Sequence, residues 1–584
     1  MSLLTISLMA AGLFFVAYLT MGRFLSKLLR LDEKAPTPAV ELRDDIDYVP
    51  IDKKFLFTQH FSAIAAAGPI VGPILAGLAF GWLPALLWIV LGAIFIGGIH
   101  DLTALIASVR HKGRSIAEVV KEHMTPRAYA LFLSFVWLAL VYIIVAFTDI
   151  TASSFVGRQK LENGMMVQGG AIATSSLLYL ALPVMMGLLL RFTPMPLWLA
   201  TLLFLPLVGV AIVVGRYFPL DLAGFLSITD QQAHKVWDAL LLVYCFVASV
   251  LPMWILLQPR GHLGGFFLLF ALVGGALGIL FGGQSAQFPA FVSWSSPTGA
   301  LFPMMFITIA CGACSGFHAI IASGTTSKQL KKETDAVFVG YGAMLLEGMV
   351  AVVSLACLMM LAVHSDVLKE PKPNFIYASG IGQFLSVIGI DPMVGVSFGL
   401  MAFTTFVYDT LDVATRLGRY VVQELTGMQG LLGRLIATAV TVGVPFLFVM
   451  RTATDAAGNV IPAWRLFWGL FGASNQLLAA LTLLGVTVWL WRRYRAHWVW
   501  LVTGIPMAWM YVMSVWAILT IIAGHWSRGA FLDPVPLVAL ALVGLALLML
   551  IEGFRVVWKT LQPVPAPVGG PAFAADPPAD AANR

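Results

Sequence analysis

FTQHFSAIAAAGPIVGPILAGLAF, Phe57 to Phe80, is long and apolar enough to cross a bilayer, yet it carries Gly68-Pro69 and Gly72-Pro73 in its middle. Proline removes a backbone donor and kinks a helix, and glycine loosens it. In lipid such a break survives only where it faces protein or a watery cavity. A second stretch, MFITIACGACSGFHAIIASGTT from Met305 to Thr326, repeats the pattern with Gly312, Gly316 and Gly324. Each stretch leads through a short polar connection into a long apolar helix. The reading is therefore a broken helix at 67–73 and another at 311–316. For either one alone, close helix packing through small residues is an equal alternative.

The rest of the chain agrees with a membrane setting. Of its 584 residues, 59% are hydrophobic and 11% charged, against about 25% charged in a soluble domain. Hydropathy gives about fifteen spans, from 3–21 to 534–558, with the broken ones as the second and the ninth. With the N-terminus outside and the C-terminus cytoplasmic, Lys and Arg collect in the cytoplasmic loops, as the positive-inside rule requires. The net charge of +6 thus reports topology, and nucleic acid is not an expected partner. Residues 3–21 precede Arg23, Lys27 and Arg30, the reverse of a signal peptide, and read as a retained first span.

Four segments follow. Residues 1–54 hold the first span and a cytoplasmic linker. Residues 55–282 form a first half and 303–558 a second half. Residues 559–584 form a disordered Pro/Ala/Gly-rich tail. The two broken spans run in opposite directions in this topology, which is the pointer to an inverted-repeat transporter with a site at the membrane midplane. The fold class is an all-α polytopic membrane protein.

Six blocks of sequence resemble the carbon starvation family of bacterial inner-membrane transporters, in the family's order, over residues 55–485. They are HFSAIAAAGPIVGPILA (His60–Ala76), GWLPALLWIVLGAIFIGGIHDLTAL (Gly81–Leu105), FPMMFITIACGACSGFHAIIASGTTSKQL (Phe302–Leu330), ETDAVFVGYGAMLLEGMVA (Glu333–Ala351), TLDVATRLGRYVVQE (Thr410–Glu424) and LFGASNQLLAA (Leu470–Ala480). The resemblance implies a secondary carrier of the amino acid–polyamine–organocation superfamily, with peptides or pyruvate as substrate and protons as coupling ion. The start of the first half also looks, more loosely, like sodium–alanine symporters. That suggests a leucine-transporter-like core of five plus five helices, although a seven-plus-seven repeat fits the span count equally.

The candidate chemistry lies in the breaks and the buried acids. Unwound backbone exposes N–H groups for a carboxylate and carbonyls for a cation. Gly68, Pro69, Gly72, Gly312 and Gly316 are the backbone site-formers, with Ser315, His318 and Asn475 as side-chain partners of substrate. Intramembrane ionisable groups are functional candidates by default, which selects His60, Asp101, Glu347, Asp409 and Asp412 for ion coupling. Competing readings are a packed histidine at His60 and His318, a structural pair of Asp412 with Arg416, and a neutral acid donating a hydrogen bond to another helix at Glu347.

Cys311, Cys314 and His318 have the spacing of a metal motif. A tetrahedral site wants four ligands or three plus water, and no second cluster is in view. The cysteines therefore read as small apolar helix residues, and neither metal nor cofactor is expected. Ser315 and His318 do not amount to a protease, since no oxyanion-hole motif accompanies them. A channel wants a more continuous polar path, and a starvation sensor wants a soluble signalling domain. The expectation is a symporter moving a small carboxylate or peptide with protons, or alternatively with sodium.

Overall fold

The computed structural model describes every residue except 1, 45–47, 66, 161–165, 253, 370, 455–459 and 562–584. The expected disordered tail falls outside the described residues, apart from 559–561, which complete the last helix.

The chain forms α1 (Leu3–Leu28), α2 (Lys53–Ile64), α3 (Gly68–Phe80), α4 (Trp82–Arg110), α5 (Ile116–His123), α6 (Pro126–Ser154), α7 (Gly169–Phe192), α8 (Leu197–Tyr217), α9 (Asp230–Val250) and α10 (Leu257–Phe281). It continues with α11 (Leu301–Thr308), α12 (Gly316–Gly324), α13 (Glu333–Met359), α14 (Pro373–Ser386), α15 (Pro392–Thr426), α16 (Gly430–Val449), α17 (Ala463–Tyr494), α18 (Trp500–Trp526) and α19 (Pro534–Leu561). Among the described residues, 13 helices are each long and apolar enough to span a membrane, and α2 with α3 adds a pair bent by 47°. The remaining expected span, 303–323, is the interrupted pair α11 and α12. The fourteen-residue α14 was not expected: its length falls short of a span, and it lies between the expected spans 336–363 and 393–413.

Both spans are interrupted, but the first interruption falls between Ile64 and Gly68 and not at 67–73. Pro69 starts a new helix at its first turn, and Gly72 and Pro73 lie inside α3. The second interruption falls between Thr308 and Gly316, and the two interrupted spans pack against each other. A Cβ placed on Gly68 would sit 2.3 Å from Cys311 Sγ, and one on Gly72 would sit 2.6 Å from the Thr308 carbonyl. The glycines thus let two backbones approach as well as loosening the helix. The two interrupted spans run in opposite directions. The chain enters α2 beside the 325–330 segment, where Ile51 N–H bonds Gln329 O at 3.1 Å, and α3 ends where Val292 N–H bonds Phe80 O at 3.1 Å. The α11–α12 pair runs back the other way.

Loops at 29–44, 48–52, 111–115 and 325–335 share one face, the basic face. Arg110 ties them together by pairing with Glu333 at 2.7 Å and donating to Leu29 O at 2.9 Å and Tyr494 Oη at 3.0 Å. The linker after α1 is therefore docked, with Val49 N–H donating to Lys328 O at 3.1 Å.

Burial separates core from rim. Every residue in the apolar window of α17 is buried, whereas only 28% of that window in α8 is. A helix buried all round faces protein on every side, so its polar residues serve the interior. The α7–α8 pair packs mainly on itself at the rim. The helices following the two breaks share one irregularity: α4 contains a π turn at Ala93–Gly97 and α13 begins with one at Val337–Gly342. Such turns recur at functional sites because they re-aim the next side chains.

Candidate substrate and proton site

Asp101 stands four residues after the π turn of α4, and Glu347 five residues after that of α13. Between them lies His318, on the first turn of α12 just past the break. His318 Nδ1 is 2.8 Å from Asp101 Oδ2, and His318 Nε2 is 3.2 Å from Glu347 Oε2. The other Asp101 oxygen meets His100 Nδ1 at 2.7 Å. All four side chains are fully buried. The Asp101 contact is a hydrogen bond, but the approach to Glu347 is out of alignment, so His318 Nε2 and both Glu347 oxygens stay unbonded among the described residues. A buried imidazole between two carboxyls, bonded to one and merely close to the other, can pass a proton between them with a small ring rotation.

The unwound backbone is capped by protein. Ile309 O accepts from Trp88 Nε1 at 3.2 Å and Gln476 Nε2 at 3.1 Å, and Thr308 O accepts from Trp468 Nε1 at 3.4 Å. Asn475 Oδ1 accepts from Phe317 N–H at 3.0 Å, and its Nδ2 donates to Ser315 Oγ at 3.0 Å. A Cβ on Gly316 would sit 2.5 Å from the Asn475 carbonyl, and one on Gly312 would sit 3.7 Å from Pro69 Cα. Buried polar backbone needs partners, and α17 supplies most of them.

A cavity of about 1430 Å³ opens from the basic face. His60, Ser62, Thr326 and Asp409 line it, while Gly68, Pro69, Gly72, Gly312, Ser315, Gly316, His318 and Asn475 are not among its described lining residues. His60 Nδ1 is 2.9 Å from Thr326 Oγ1, and its Nε2 has no partner among the described residues. His60 therefore stands between the water-accessible space and the closed centre.

A second buried charge cluster borders the cavity. Arg260 Nε donates to Asp409 Oδ1 at 2.6 Å, its Nη1 reaches Asp412 Oδ2 and Tyr244 Oη, and Ser62 Oγ donates to Asp409 Oδ2 at 3.3 Å. This corrects the expected Asp412–Arg416 pair: Arg416 Nη2 donates instead to Ala248 O and Leu251 O, both at 2.8 Å. The spacing on α15 made the local pair available, but Arg260, fully buried in α10, approaches from another helix. Hydropathy had split 238–257 from 263–282 and left Arg260 in a loop. Its cue was a long apolar run interrupted by one arginine. His100, Tyr244 and Gln476 were likewise missed, although each adjoins or faces a residue already selected. Glu347, with no basic residue near it in sequence, has His318 beside it from another helix.

A bundle of apolar helices with two antiparallel interrupted spans around a buried polar centre defines a polytopic membrane transporter. The chain belongs to the carbon starvation protein CstA family, whose profile matches residues 2–368 and 362–517. It is 32% identical to the peptide transporter CstA of Escherichia coli strain K12, over 86% of this chain and 79% of that protein. It is 31% identical to the pyruvate/proton symporter BtsT of the same organism, over 88% of this chain and 81% of that one. The peptide transporter CstA of Bacillus subtilis strain 168 is also 31% identical, over 95% and 96%.

Proposed function

We propose that the protein is a secondary active transporter of the bacterial inner membrane that takes up peptides or pyruvate during carbon starvation, driven by protons. The observation that carries this reading is the buried Asp101–His318–Glu347 chain, set beside both helix breaks and near the end of an aqueous cavity at His60. Relatives named as peptide transporters and as a pyruvate/proton symporter support the substrate class. The basic face is cytoplasmic by the positive-inside rule, which puts the N-terminus outside. The conformation is then inward-open, with the cavity as the release route.

In this mechanism the substrate carboxylate takes Phe317 N–H at the start of α12, and Asn475 turns from that N–H to the substrate. Gly68, Pro69, Gly72, Gly312 and Gly316 supply the yielding backbone, and Ser315 a hydroxyl. His60, Asp101 and Glu347 carry the proton with His318, while Asp409 and Asp412 hold Arg260 beside the cavity. The repeat is five plus five: with the rim pair α7–α8 set aside, the second break lies five core spans after the first, and π turns follow both. The protein binds and moves its substrate without converting it, so no enzyme activity is assigned.

Uptake into proteoliposomes tests the reading. Pyruvate or a small peptide accumulates under an imposed proton gradient. Accumulation driven by sodium alone overturns the coupling, and non-saturable conductance makes the protein a channel.

A further inference from the structure

On the face opposite the basic one, the transport centre has a separate neighbour. Asp149 on α6 and Asp238 on α9 are both fully buried, and the side chain of His234 on α9 is 14% exposed. His234 Nε2 is 3.1 Å from the main-chain oxygen of Asp149, 3.2 Å from Asp149 Oδ1 and 3.9 Å from Asp238 Oδ2. Asp149 Oδ1 and both oxygens of Asp238 have no hydrogen-bond partner among the described residues. Buried carboxylate oxygens are normally bonded, so three orphans converging on one imidazole call for a ligand. The second Asp149 oxygen is fixed by Trp464 N–H at 2.8 Å. Among the described residues Lys235 is the cation paired with the cluster, with Nζ 3.9 Å from Asp238 Oδ2, and its ammonium is held by the carbonyls of Val449 and Arg451.

We propose that Asp149, His234 and Asp238 form a site for a divalent transition-metal ion. Metal–ligand bonds of about 2.1 Å, at angles between octahedral and tetrahedral, set neighbouring ligand atoms roughly 3.0–3.4 Å apart. The Nε2–Asp149 Oδ1 separation of 3.2 Å already matches, a rotation of Asp238 brings its Oδ2 in from 3.9 Å, and the bond from Nε2 to the Asp149 main-chain oxygen gives way to the ion. His234 ligates through Nε2 as the tautomer with its proton on Nδ1. Two carboxylates cancel the ion's charge, so Lys235 is tolerated. The carboxylate–imidazole set suits Zn²⁺ or Mn²⁺ better than the all-oxygen shell of Ca²⁺. Trp464, by orienting Asp149, ties α17 to the pair α6–α9, so the ion braces the face opposite the cavity.

The test uses full-length, chelator-stripped protein in detergent, titrated with Zn²⁺ and with Mn²⁺. One saturable ion per chain is expected, together with a rise in melting temperature. Asp238→Asn and His234→Gln are each expected to weaken binding about tenfold or more and to abolish the rise. His123→Ala is the control, because His111, Glu122 and His123 make another candidate cluster on the basic face, with the two Nε2 atoms 2.7 Å apart. Absence of saturable binding overturns the proposal and leaves a proton shared between Asp149 and Asp238. Binding that survives both site variants but is lost in His123→Ala overturns it as well. If Asp238→Asn does not fold, the partly exposed His234 carries the decision.

Discussion

His318 Nε2 lies 3.2 Å from Glu347 Oε2 without hydrogen-bond alignment, while the same ring is bonded to Asp101 at 2.8 Å. One side chain thus links the helix after the first break to the helix after the second. Each of the three groups thus has another ionisable side chain beside it, and none is isolated in lipid, where a lone charge is costly.

Glu347→Gln keeps the shape of the acid and removes its proton site. Proton-driven accumulation in proteoliposomes falls at least about tenfold, while substrate counterflow persists. Equal loss of both, with folded protein still present, marks Glu347 as structural.

Arg260 is held by two acids, so single deletions leave a buried charge unpaired. Arg260→Met lowers stability by about 3–5 kcal/mol. The triple change with Asp409→Asn and Asp412→Asn recovers much of that loss. Thermal denaturation of the detergent-solubilised protein measures both.

Gly68→Ala pushes a methyl into Cys311, whose Sγ lies 2.3 Å from the Cβ position. Overpacking of this kind costs about 1–3 kcal/mol. Cys311→Gly in the same chain restores the melting temperature, because the clash is with that side chain and not with main chain.

His123, outside the spans on α5, has its pKa lowered from 6.5 to about 4, first by burial and then by the neighbouring His111. The folded state therefore prefers the neutral ring, and the unfolded state binds more protons between those values. Stability of the α5 region is full above pH 6.5 and declines as pH falls towards 4. Proteolysis of the 111–125 connection quickens over that window, and His123→Gln removes the dependence.

The sequence determined what depends on chain-local physics. Apolar run length set the spans, and Gly68-Pro69 and the Gly-rich 312–316 stretch marked where the two interruptions end, because those residues act on their own backbone; Gly72-Pro73 stayed inside α3. Alternating loop charge set an expected sidedness. The individual buried groups His60, Asp101, His318, Glu347 and Asn475 were also legible, since polar residues in apolar helices stand out one at a time.

Only the tertiary structure decided their partners. Asp412 has Arg416 one helical turn away, yet Arg260 on α10 takes it, because the buried guanidinium has no water to turn to and must find carboxylates. His318 meets Glu347 across 29 positions and Asp101 across 217, separations at which spacing says nothing about contact. Cys311 came to matter through the glycine it faces and not through the cysteine it nearly neighbours. A linear pattern fixes which face a residue shares within its own helix. Which other helix lies against that face follows from how small residues let the backbones close, and that is a property of the packed bundle.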